Sequence, residues 1–131
     1  MTSFFSKFKI IFYTINFILI FLYLFPGSLI GIMIYDNKIK QPQITPDFII
    51  SSNHFYIFAF ISLIGLLSYS RSKNVKFLIL YLVFLSIILE VFHIIIPNRS
   101  FQSSDLFGNL FGVLIVFFIN FFISKYEIFK K

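Results

Sequence analysis

A chain of 131 residues allows a single domain. Hydrophobic residues make up 59% of it and charged residues 12%, where soluble domains average about 45–50% and about 25%. So little polar surface excludes a water-soluble enzyme, and the mean hydropathy of +0.95 excludes a disordered chain. The net charge of +6 does not point to nucleic acid, because the basic residues lie between hydrophobic runs, where they act as topology signals. Cysteine is absent, which removes disulfides and thiolate chemistry. The 22 phenylalanines fit the codon bias of an AT-rich genome better than an aromatic binding surface.

A membrane-spanning helix needs about 20 mainly apolar residues. The first candidate runs from Phe8 to Phe25 and stops at Pro26-Gly27, a strong breaker. It is too long for a signal-peptide core and no small-residue cleavage site follows, so a retained anchor is expected. The apolar piece from Ser28 to Tyr35 either prolongs a kinked first span or lies at the interface. A polar stretch, Asp36 to Asn53, precedes a second run from His54 to Tyr69. After the basic loop Arg71-Ser-Lys73-Asn-Val-Lys76 comes a third run, Phe77 to Ile96, closed by Pro97. The polar loop Asn98 to Asp105 leads to a fourth run, Leu106 to Ile123, and a basic tail. The expectation is an all-α, polytopic membrane protein, one transmembrane domain over 1–131 folded as a four-transmembrane-helix bundle.

Lys7, Lys9, Arg71, Lys73, Lys76, Lys125, Lys130 and Lys131 all fall on one side of such a bundle; Lys38, Lys40 and Arg99 fall on the other. The positive-inside rule then puts both termini in the cytoplasm (N-in/C-in) and the protein in the inner, cytoplasmic membrane. In that arrangement His54, Glu90, His93, Arg99, Asp105 and Asn109 gather near the extracytoplasmic face, a candidate polar binding site.

Glu90 is the most informative of these, because a carboxylate at membrane depth costs at least about 2.5–3.5 kcal/mol and such residues face a bundle interior or a wet cavity. Seven residues before Pro97, it is expected roughly 10 Å below the end of its helix. Ser86, Glu90, His93 and Pro97 fall on one helical stripe. Asp105 is either an N-cap of the fourth span or part of the site. Asn109 offers interhelical hydrogen bonds, and Gly108 with Gly112 forms a small-xxx-small pair for helix packing. Arg99 reads as a snorkelling loop charge, an anion receptor, or a partner of Asp105 or Glu90. His54 reads as an interfacial polar cap. His54, Glu90 and His93 could make a metal set, but Glu90-x-x-His93 has no second such pair, so neither metal nor cofactor is expected. Tyr13, Asn16, Tyr23 and Asn120 read as packing contacts. No phosphate loop, GxSxG elbow or HExxH occurs.

The segment from His54-Phe55 through Glu90-x-x-His93 to Pro97-Asn-Arg99, Asp105, Asn109 and Gly112 resembles the VanZ-like family of small bacterial membrane proteins, over about residues 46–116. The family pattern is His-Phe opening a span, Glu-x-x-Gln near the end of another, then Pro-x-Arg, an Asp, an Asn four residues on and a Gly three after that. His93 stands where glutamine is usual, and Ile50 and Ser51 where the family carries Asp and Lys. The resemblance implies a multi-pass protein of the cell envelope linked to antibiotic tolerance. The expected function is an accessory protein that binds a lipid headgroup, with the bilayer and a lipid-linked envelope precursor or lipopeptide as partners. The alternative is an intramembrane enzyme with Glu90 as acid or base and His54 or His93 as proton partner.

Overall fold

The computed structural model describes residues 2–69 and 72–129 and, within them, the side chains of 8–69 and 72–126. Arg71, Lys130, Lys131 and the side chain of Lys7, all part of the expected topology signal, lie outside these described residues. The described chain is all-helical: α1 (Thr2–Leu24), α2 (Leu29–Tyr35), α3 (Ser52–Tyr69), α4 (Val75–Phe92) and α5 (Ser103–Phe129). Among the described residues, three helices are long and apolar enough to cross a membrane: Ser52–Tyr69, Val75–Phe92 and Ser103–Tyr126. Phe8–Leu24 passes the same test only together with Leu29–Tyr35, and the two are bent by 80°.

The sequence explains that bend. Pro26 cannot continue a helix, and Gly27 takes a left-handed φ of +95° that costs glycine nothing. A Cβ on Gly27 would sit 2.7 Å from the Lys38 carbonyl oxygen. Ser28 then restarts the helix, its Oγ accepting from the Gly31 N–H at 2.9 Å as an N-cap. Asp36 closes α2 in the left-handed region. The piece from Ser28 to Tyr35 therefore does not prolong α1 along its axis. The loop that follows is held on the start of α3 by Asn53, whose Oδ1 accepts from the Ile44 N–H and whose Nδ2 donates to the Pro42 carbonyl.

The core lies between α1, α3, α4 and α5, with Phe12, Leu19, Phe58, Ile61, Leu82, Leu89 and Val113 buried. α3 and α5 approach backbone to backbone. A Cβ on Gly108 would lie 2.7 Å from the Ser51 carbonyl oxygen, and one on Gly112 2.5 Å from that of Phe55. Outside, Phe17, Phe77, Leu80, Phe84, Phe118 and Phe121 are all more than half exposed, while Ser62, Ser86, Glu90 and Asn109 are completely buried. Polar groups within and aromatic rings without is the distribution expected of a solvent that is hydrocarbon.

Two helix ends depart from the expected boundaries. α4 stops at Phe92 although the apolar run continues to Ile96, because the Pro97 ring would clash with the carbonyl four residues back, at His93. Glu90 is thus in the last turn of its helix, not 10 Å below its end. His93 keeps its place on the stripe with Ser86 and Glu90, whereas Pro97 has left the helix and is exposed. α5 begins at Ser103, so Asp105 lies inside its first turn and is not the residue ahead of it.

Candidate functional site

The end of α1, the start of α3, the end of α4 and the start of α5 meet at one end of the bundle, and each contributes polar side chains there. Tyr23 on α1 is the hub. Its hydroxyl donates to Asn109 Oδ1 at 2.9 Å and lies 3.0 Å from His54 Nδ1. Its ring stacks on His93 at 5.7 Å between centroids and meets His54 edge-on at 5.3 Å. Its backbone carbonyl accepts from His93 Nε2 at 3.1 Å.

Asn109, completely buried, fixes the orientation of this group. Its Nδ2 donates to the Ser86 carbonyl at 3.1 Å, which turns Oδ1 toward Tyr23 and toward His54 Nδ1 at 3.0 Å. An amide oxygen only accepts, so His54 presents an N–H on Nδ1. His54 Nε2 faces Asp105 Oδ2 at 3.4 Å. Ser51, just ahead of α3, donates its backbone N–H to the Ser104 carbonyl at 3.1 Å. Asp105 therefore ties α5 to α3 through its side chain and does not cap its own helix.

Glu90 Oε1 accepts from the backbone N–H of Gln102 at 3.0 Å, and Oε2 lies 3.2 Å from His93 Nδ1. Glu90 is completely buried, and Oε2 has no hydrogen bond. His54, Glu90 and Asp105 each bring one ligand-capable atom within 4.8 Å of the others.

Arg99 goes elsewhere. Its Nε donates to the Phe25 carbonyl at 3.3 Å and an Nη to the Leu22 carbonyl at 2.9 Å. It thereby caps the last turn of α1, whose carbonyls have no helical partners and carry the negative end of the helix dipole. Among the described residues, no salt bridge joins Arg99 to Glu90 or Asp105. Half-burial pushes its guanidinium pKa down, and the charges of nearby Glu90 and Asp105 push it back up.

Beside this cluster is a cavity of about 480 Å³ between α1, α2, the loop after it and α3. Ile15, Ile18, Leu19, Leu22 and Ile57 make its apolar walls. Tyr23, Ser28, Gln41, Gln43, Asn53, His54 and Arg99 are the polar residues among its lining. Ile18, Ile30 and Ile44 on its walls are exposed, so it opens on the outside of the bundle.

The structure brings His54, Glu90, His93, Asp105 and Asn109 into one network, with Arg99 at its edge and Gly108 and Gly112 in the helix contact that carries it. Tyr23 was read from the sequence only as a packing residue. Its signal is the buried face of α1, where Phe12, Leu19 and Tyr23 follow at helical spacing. Gln102 takes part through its main chain alone, which no side-chain pattern could reveal. Comparison of the chain with family models, with curated proteins and with solved structures returned no match.

Proposed function

We propose that this chain is a VanZ-like protein of the bacterial inner membrane that binds an amphiphile with a polar head, a lipid-linked envelope precursor or a lipopeptide, as an accessory of glycopeptide tolerance. Four spans with both termini in the cytoplasm would place the polar end of the bundle on the outer side, where such heads are found. One observation carries the binding reading. A cavity of the volume usual for small-molecule sites has apolar walls along α1 and α3, with Gln41, Gln43, Asn53 and Arg99 among the residues that line it. A chain fits the walls, and a head fits Asn53, the glutamines and the Arg99 donors not spent on α1. Guanidinium N–H groups suit phosphate or carboxylate oxygens, while the glutamines and Asn53 suit amides.

The supporting test is direct binding of a lipid-linked wall precursor to the purified protein in nanodiscs. Arg99→Ala should weaken binding at least tenfold, and unchanged binding would count against the proposal. Two imidazole–carboxylate pairs, His54 with Asp105 and His93 with Glu90, favour the second reading, an intramembrane enzyme. Turnover of the precursor by wild-type protein, abolished in Glu90→Gln, would put that reading first.

A further inference from the structure

We infer that His54, Asp105 and Glu90 form a binding site for one divalent transition-metal ion of the zinc class. The trio differs from the set the sequence suggested, since His93 turns its Nε2 to the Tyr23 carbonyl and Asp105 takes its place. The inference is independent of amphiphile binding, because its readouts are metal content and melting temperature.

Four features of the cluster converge on a cation. The first is distance. His54 Nε2 and Asp105 Oδ2 are 3.4 Å apart, and two ligands at about 2.1 Å from a tetrahedral zinc stand about 3.4 Å from each other. The second is charge. Two carboxylates approach each other inside an apolar bundle, each facing an imidazole, while Arg99 is engaged by α1 carbonyls. A divalent ion would offset both carboxylate charges there, which an imidazole does only when protonated.

The third is an orphaned atom. Glu90 is completely buried and its Oε2 lacks a hydrogen bond, with His93 Nδ1 3.2 Å away. The fourth is the support behind the imidazole. Asn109 Oδ1, locked by the Ser86 carbonyl, faces His54 Nδ1 and demands its N–H. In the neutral ring this leaves the lone pair on Nε2, pointed at Asp105. Metal-ligating histidines are held in this way, by an oxygen acceptor behind the second nitrogen. One imidazole nitrogen and two carboxylate oxygens suit zinc or manganese better than a soft-ligand metal.

The test uses the full chain in detergent micelles, stripped with EDTA and dialysed against excess Zn²⁺ before gel filtration. Wild type should retain about one zinc per chain and melt at a higher temperature when loaded than when stripped. Asp105→Asn and His54→Ala should lose zinc affinity by at least tenfold and lose the thermal shift. Asp105, the least buried of the three, carries the test if Glu90→Gln fails to fold, with helical circular dichroism and a monodisperse peak as the folding control. Wild type that retains no zinc, or no more than Asp105→Asn does, overturns the inference; so does a thermal shift equal in the two proteins.

Discussion

Asn109 uses its amide on three other helices at once: the α4 main chain at Ser86, Tyr23 on α1 and His54 on α3. Truncation to alanine leaves buried donors without acceptors, at about 1–3 kcal/mol each. Asn109→Ala should therefore lose at least that much stability, while Tyr23→Phe, which keeps the ring on His93, should lose about 1 kcal/mol. Reversible unfolding in mixed micelles measures both, and a neutral Asn109→Ala would contradict the assigned network. Arg99→Ala removes two charge-assisted bonds from the end of α1 and should cost about 1.5–3 kcal/mol by the same measurement. At this scale the sequence was largely legible, because ionisable and amide groups inside apolar runs are few and expensive, and each needs a reason. Tyr23 reads as packing because tyrosine is both apolar body and polar tip, and seven of them in an aromatic-rich chain look alike.

The all-helical class and the order of the long apolar helices were legible, but not the break that leaves three of them passing as spans on their own, nor the helix ends. Hydropathy sees Ile94-Ile95-Ile96 as more of the same span. The covalent geometry of Pro97 ends α4 at Phe92 all the same, which lifts Glu90 into the last turn, within reach of the Gln102 N–H. The pairing of α3 with α5 rests on glycine. A methyl group on Gly112 meets main-chain atoms, the Phe55 carbonyl oxygen and the Ala59 nitrogen, whereas on Gly65 it meets only the side chains of Phe12 and Leu78. Backbone cannot move aside as a side chain can. Gly112→Ala should thus cost about 1–3 kcal/mol and Gly65→Ala clearly less. Equal melting temperatures for the two variants would show that the close contact of α3 and α5 is not what holds the bundle.

For the whole molecule, the arrangement is set by a mismatch between surface and interior. Phenylalanine and isoleucine cover the outside, and the buried polar network is confined to one end. The opposite end has its own hydrogen bonds, Tyr13 with Tyr69 and Asn16 with Tyr81, both at 2.5 Å, and Lys9 over the Tyr69 ring at 5.1 Å. The chain has no cysteine, so single cysteines introduced at Lys73 and Gln43 report on topology without background. Gln43 should be labelled from outside intact spheroplasts and Lys73 only after permeabilisation; the reverse pattern would invert the proposed orientation. What the sequence could not give was the cavity. It depends on the 80° bend and on a loop docked by Asn53, both of which are tertiary facts.

Photo-crosslinking tests the binding account most directly, with a lipid-linked wall precursor that carries a diazirine on the first units of its chain. Labelling should fall on the walls formed by Ile15, Leu19, Leu22 and Ile57, and excess unmodified precursor should compete it away. Labels spread over the outward-facing Phe77, Phe84 and Phe118, insensitive to competitor, would contradict it.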